Sequence, residues 1–172
     1  ELWALTSAGE RLLRVQKNSM QLTPAELQTS WKGPVRDLAI RATTGEAWIA
    51  AEDRLVRLDE GGKVAFVSTE EFRFAIRVAL DQASGTCWMI TDTRQYRNDS
   101  NVYSFAANGT MLLQLEGFGR PQSLAVNPFD ASCYVLDTLQ GRLVRISAAG
   151  QVTTGFTSFL APIDIDIVRP ER

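Results

Sequence analysis

The 172-residue chain contains no histidine and only two cysteines, Cys87 and Cys133. Without histidine there is no Ser-His-Asp or Cys-His catalysis, no His-ligated zinc and no side chain that titrates by default near neutral pH. Two such widely spaced cysteines make neither a disulfide scaffold nor a C-x-x-C site. No apolar run approaches the ~18 residues of a membrane-crossing helix, so no membrane span is expected. Eighteen Lys and Arg stand against twenty Asp and Glu, a net charge of −2, and nothing steers the chain toward nucleic acid. The chain starts at Glu1 with no Met and no signal-like segment. That reads as a processed or excised product and tilts the expected compartment toward secreted or periplasmic. The remainder is ordinary, with 45% hydrophobic and 22% charged residues, enough for one domain over residues 1–172.

What is present is a repeat. Four short apolar segments carry an aromatic: Leu-Trp3-Ala-Leu, Ala-Trp48-Ile-Ala, Cys-Trp88-Met-Ile and Cys-Tyr134-Val-Leu, with anchors 45, 40 and 46 residues apart. A second strand follows each, as in Arg11-Leu-Leu-Arg-Val, Arg54-Leu-Val-Arg-Leu, Asn101-Val-Tyr-Ser-Phe and Arg142-Leu-Val-Arg-Ile. Three copies then turn at Gly62, Gly109 or Gly150, and the other has Ser19 there. A further strand precedes three of the anchors, ending at Ile40, Leu80 and Val126, each eight positions before its aromatic. The fourth copy of that strand, Ile165-Asp-Ile167, has no anchor after it, but reading round from Arg172 to Glu1 puts Trp3 eight positions on.

Four short strands per ~43 residues with glycine turns is the pattern of a β-propeller blade. The expected fold is therefore all-β: four blades of four antiparallel strands, closed by N- and C-terminal strands in one blade. The alternative is part of a larger six-bladed propeller. Helix is minor, with Pro24 to Leu27 the one short candidate. Phe118-Gly-Arg-Pro-Gln-Ser-Leu-Ala-Val, then Cys133-Tyr-Val-Leu-Asp-Thr and Gly141-Arg-Leu-Val-Arg-Ile, resembles an NHL-type propeller repeat. Such motifs imply fold far better than function.

Aligned inner-strand positions stack in layers around the expected axis: Asp37, Arg77, Ser123, Asp164; then Ala39, Ala79, Ala125, Asp166; then Arg41, Asp81, Asn127, Val168. Asp164 and Asp166, with Asp37, are oxygen donors suited to Ca²⁺. Arg77 and Arg41 argue against a cation cage, so no metal and no cofactor is the expectation. Asp53, Asp92 and Asp137 read as turn-capping carboxylates at repeated positions. Arg14, Arg57 and Arg145 read as a solvated rib. Trp31, Phe72, Phe118 and Phe159, one before each inner strand, read as wedges between blades.

One blade departs from the repeat. Trp88 to Val102 is fourteen residues, against nine for Trp3 to Leu12 and Tyr134 to Leu143 and seven for Trp48 to Leu55. Insertions on one face of a repeat fold are where binding resides. Arg94, Tyr96 and Arg97 in that insertion, with Trp31 and Lys32 from the long first connection, are the candidate binding residues. The expected function is a non-enzymatic binding module that presents one loop face to a protein or small polar ligand. The alternative is an enzyme resembling propeller lactonases, using a divalent metal in the central channel. The related streptogramin-type lyases imply a histidine base that this chain lacks.

Overall fold

The computed structural model describes residues 2–5, 12–15, 22–24, 34–72, 74–92, 100–160 and 162–167. Fifteen strands and no helix occur among them. The first sheet has three strands, β1 (Leu2–Leu5), β2 (Leu12–Val15) and β3 (Leu22–Pro24), in that order. The second runs β4 (Val35–Ile40), β5 (Ala47–Ala51), β6 (Leu55–Leu58), β7 (Val64–Val67). The third runs β8 (Ala75–Leu80), β9 (Cys87–Thr91), β10 (Ser100–Phe105), β11 (Met111–Phe118), and the fourth β12 (Pro121–Val126), β13 (Cys133–Asp137), β14 (Arg142–Ile146), β15 (Val152–Thr157). All pairings are antiparallel between chain neighbours.

The burial explains the sequence pattern. Every residue of β5 (Ala-Trp-Ile-Ala-Ala) and of β9 (Cys-Trp-Met-Ile-Thr) is buried, because these strands have a neighbouring sheet on each face. A continuous apolar run is the signature of that position. The outermost β11 instead alternates half-buried and exposed residues along most of its length. Trp48 and Trp88 are 2% exposed, and each lies across the strand pair from an alanine, Ala39 or Ala79. Tyr134 faces Ala125 in the same register.

Two clusters weld the sheets. Trp48, Ala50 and Leu55 of the second sheet pack with Cys87, Met89, Tyr103 and Phe105 of the third. Trp88, Ile90 and Val102 of the third pack with Cys133, Val135, Val144 and Ile146 of the fourth. Phe72 wedges into the first cluster, edge-on to Tyr103 at 5.0 Å and to Phe105 at 5.9 Å. Phe118 does the same in the second. Phe159 does not: it is 40% exposed, because no sheet follows it among the described residues. Trp31 lies outside the described residues, as do Ala25 to Leu27 of the helix candidate, and Pro24 ends a strand.

The expected closing pair is also not seen. Residues 162–167 belong to no strand, and β1 pairs only with β2 among the described residues. The outer hairpins do turn at glycine: Gly62, Gly109 and Gly150 have φ of 81°, 92° and 84°. Gly109 and Gly150 are doubly constrained, since a Cβ on Gly109 would collide with the Phe66 ring of the preceding sheet and one on Gly150 would sit 2.9 Å from Leu113.

Gly109→Ala is therefore expected to cost more than about 1 kcal/mol, from left-handed backbone strain and the Phe66 collision together; chemical denaturation measures it, and an unchanged midpoint would refute the contact. Cys87 and Cys133 are free and buried, and burial pushes both thiols well above the usual range. Native protein should take up no iodoacetamide at pH 8 while denatured protein labels at both cysteines; mass spectrometry would expose rapid native labelling or a linked pair.

Candidate functional site

The third residues of β4, β8 and β12 are Asp37, Arg77 and Ser123, and together with Asp164 they form one linked polar group. Asp37 on β4 accepts the Val78 amide of the neighbouring β8 at 3.0 Å through Oδ2, and its Oδ1 lies 3.9 Å from Arg77. Ser123 on β12 donates to Asp164 at 2.5 Å. Arg77 also acts electrostatically on Asp164, and Asp37 and Asp164 repel. The first expected layer is thus a single electrostatic group. Burial is the main reason the Asp37 carboxyl sits above its ordinary range, partly offset by the Val78 amide and by Arg77. Asp164 is exposed and held below its range, chiefly by the Ser123 hydroxyl.

A β-bulge precedes this layer in all three complete sheets. Register slips between Val35 and Asp37, between Ala75 and Arg77 and between Pro121 and Ser123 leave Arg36, Ile76 and Gln122 as the extra residues. A bulge re-aims the following side chain. The sequence carried no readable signal for it, because the regular eight-residue spacing lies downstream of the slip.

The other layers do different work. Asp166 only accepts the following Ile167 amide at 2.7 Å, and Val168 lies outside the described residues. Arg41 does not meet Asp81. It reaches the Gln82 and Ala83 carbonyls of the next sheet at 3.4 and 2.6 Å, while Gln82 bonds back to Ala42 and Ile40. Asp81 and Asn127 cap their own turns. Among the described residues no three His, Cys, Asp or Glu side chains converge as metal ligands.

The inner strands begin at one face of the sheets, here called the entry face, and the axial group lies beside it. The buried Asp137 there accepts the Gly119 and Arg120 amides at 3.0 and 2.9 Å and meets Arg142 at 3.2 Å. It caps, as expected, but the chain it caps is the lead-in to β12 rather than its own turn. Asp92 lies 3.8 Å from Arg120 across two sheets. Asp53, Asp92 and Asp137 are not at one repeat position. Asp137 is opposite Pro121, where the other sheets place Thr91 opposite Ala75 and Ala51 opposite Val35, so Asp92 and Asp53 fall one and two residues later. Two of the three rib arginines are paired rather than simply solvated, Arg57 with Glu46 at 2.6 Å and Arg145 with Asp130 at 2.9 Å, while the Arg14 side chain lies outside what is described. Such part-exposed pairs contribute little.

In the three complete sheets the connections between second and third strands start and end on the entry face. They are residues 52–54, 92–99 and 138–141. The middle one is the longest, and Arg94, Tyr96 and Arg97 fall within it, outside the described residues, as do Trp31 and Lys32. Asp92 fixes the start of that connection; at its end Asn101 bonds back to the Thr91 hydroxyl at 3.1 Å and to Tyr103 at 3.0 Å.

No protein-family model matches the chain, and no curated protein sequence does. Solved structures do. The chain is similar to one in a crystal structure of a nidogen–laminin complex, with a TM-score of 0.69 and 15% identity over 92% of this chain and 60% of that one. It is similar to virginiamycin B lyase from Staphylococcus aureus, also with a TM-score of 0.69 and 15% identity, over 95% of this chain and 58% of the other. A protein of unknown function from Bacteroides thetaiotaomicron matches with a TM-score of 0.59 at 15% identity, over 96% of this chain and 53% of its own. These likenesses support a β-propeller-like fold, of which this chain spans somewhat over half the length of each match.

Because the folded Asp37 carboxyl sits above its unfolded value, the native state carries a penalty for ionising it at neutral pH. That penalty disappears as pH falls through the raised value toward the unfolded one. Asp37→Asn keeps an acceptor for the Val78 amide and loses the charge. It should be slightly more stable than the parent at pH 7, by up to about 1 kcal/mol, with the gap closing by pH 4. Denaturant midpoints at the two pH values decide it, and a variant weaker at pH 7 would contradict the assignment.

Proposed function

We propose that the chain is a non-enzymatic, NHL-like propeller module that binds a protein or small polar ligand through its entry face. In this reading the β1–β3 sheet takes residues 162–167 as its innermost strand, completing four blades of four strands. The observation that carries the function is the connection between β9 and β10. Eight residues, 92–99, span a step that the second and fourth sheets make in three and four. The fold does not need the extra length, and the connection leaves from Asp92, which is tied to Arg120 on the next sheet.

The sequence of that connection offers one aromatic, Tyr96, and two guanidinium groups, Arg94 and Arg97, residue types that recognise carboxylates by stacking and charge-assisted hydrogen bonds. Trp31 and Lys32, from the long first connection, are the other candidate binding residues. The favoured partner is therefore an acidic protein segment, and no cofactor enters the reading. One likeness, the nidogen–laminin complex, is a structure of proteins bound to each other, which is in keeping with a binding role.

An array of Asp- and Glu-rich peptides tests this directly. The parent chain should bind members of the array, and joint replacement of Arg94, Tyr96 and Arg97 by Ala should weaken binding at least tenfold. Stability should stay within about 0.5 kcal/mol of the parent, as for other surface changes. A parent that binds no acidic peptide, or a triple variant that binds as well, sinks the reading; a variant that melts several degrees lower makes the connection structural.

A further inference from the structure

Phe74, the residue before β8, holds a backbone conformation that its place in the repeat does not demand. Its φ is 56°, in the left-handed region where a bulky side chain is a genuine outlier. Its carbonyl accepts the Asp92 amide at 3.0 Å. Pro34 before β4 and Arg120 before β12 accept the Glu52 and Thr138 amides in the same way, at 3.1 and 2.9 Å, without a positive φ. Core packing does not account for it either. Phe72 is buried two residues earlier, whereas Phe74 belongs to none of the three apolar clusters and is 41% exposed. Strain of this kind persists only where its surroundings hold it, and it gathers at sites that clamp ligands.

Phe74 has company on the entry face. Asp92, whose amide it holds, lies 3.8 Å from the Arg120 guanidinium, within ion-pair range and too far for a hydrogen bond. That arginine side chain is 48% exposed, and its carboxylate partner is buried. Next to it Leu139 lies over Gly119, so close that a Cβ there would sit 3.0 Å from the leucine, and Leu139 is 57% exposed. Arg142 repeats the charge arrangement with the fully buried Asp137. Both carboxylates are inside and both guanidiniums reach solvent, so this part of the face presents cations although each has its counter-charge. An open arginine fork is thereby linked to one exposed apolar side chain on the third sheet and one on the fourth.

We propose that Phe74, Arg120 and Leu139 form a recognition site for an acidic residue flanked by large apolar side chains in a segment of a partner protein. The Arg120 fork takes the carboxylate through paired, charge-assisted hydrogen bonds. Arginine suits this better than lysine, because its guanidinium is planar and more weakly hydrated. The flanking side chains cover Phe74 and Leu139 and keep water from the ion pair, and a pair shielded from water attracts more strongly than a solvated one. Charge complementarity selects the carboxylate, and the two exposed apolar groups select its neighbours. The inference rests on the entry-face reading and adds to it what the partner carries beside its acidic residue.

Three blocked, dye-labelled heptapeptides test the site by fluorescence anisotropy: Gly-Leu-Phe-Glu-Phe-Leu-Gly, the same Glu within glycines, and the first peptide with Lys in place of Glu. The parent chain should bind the first about tenfold tighter than either of the others. Asn tolerates the left-handed backbone, and Leu139 is exposed, so Phe74→Asn and Leu139→Ser should each keep the parent's denaturation midpoint. Each should lose most of the preference for apolar flanks and bind the glycine-flanked Glu as the parent does. A parent that binds acidic peptides without regard to their flanks overturns the site and leaves the entry-face reading standing, whereas a parent that binds no acidic peptide at all overturns both. Equal binding of the Lys peptide overturns the site, as does an undiminished preference in both variants. A midpoint several degrees lower in both makes the pair structural and overturns it as well.

Discussion

An indole buried against an alanine of the inner strand is the constraint from which the rest of this structure follows. Trp48 and Trp88 are nearly fully buried, and the residue directly across the inner strand pair is alanine each time. A larger axial residue would compete with the ring for the same space at packing densities that leave no slack. An aromatic of this size contributes several kcal/mol by burial. It does so only when a second sheet closes over it, so one sheet alone gains little and the clusters form between sheets.

Polar groups are then forced into the few places where the packing leaves backbone unpaired. The Val78 amide points away from its own sheet and takes Asp37 from the neighbour. The lead-in to β12 has two amides with no strand partner and takes Asp137. Buried donors left unsatisfied would cost about 1–3 kcal/mol each. These carboxylates are therefore explained by the fold. What the fold does not explain is the length of the connection after Asp92.

The sheets were legible because their signals are periodic and local. Anchor spacing, the eight-residue step to the inner strand and glycine at the hairpin tips all follow from geometry that each blade repeats. The axial group of Asp37, Arg77, Ser123 and Asp164 was legible for the same reason: aligned positions in a repeat become neighbours in space. The bulges were not, since one inserted residue leaves the hydrophobic spacing on either side intact. Nor was the offset among Asp53, Asp92 and Asp137, because loops of unequal length hide the register of their ends. Phe159 shows a different limit. Its sequence context matches Phe118, but whether an aromatic is buried depends on what comes next, and that is not a local property.

In a repeat fold stability is close to a sum of unit terms and neighbour interfaces. The end units are the ones that lose an interface, and such proteins ordinarily give the outer face of an end unit polar residues to compensate. The fourth sheet, the last one described, carries apolar residues on its exposed side. Phe156, Leu160 and Ile163 are among the most exposed large apolar side chains described, and they lie together with Phe159 at the end of β15 and just past it. Apolar groups scattered singly over a surface carry no message, whereas a contiguous group of them does. On the second and third sheets the corresponding face is an interior interface, so the apolar pattern of the repeat continues into the fourth sheet.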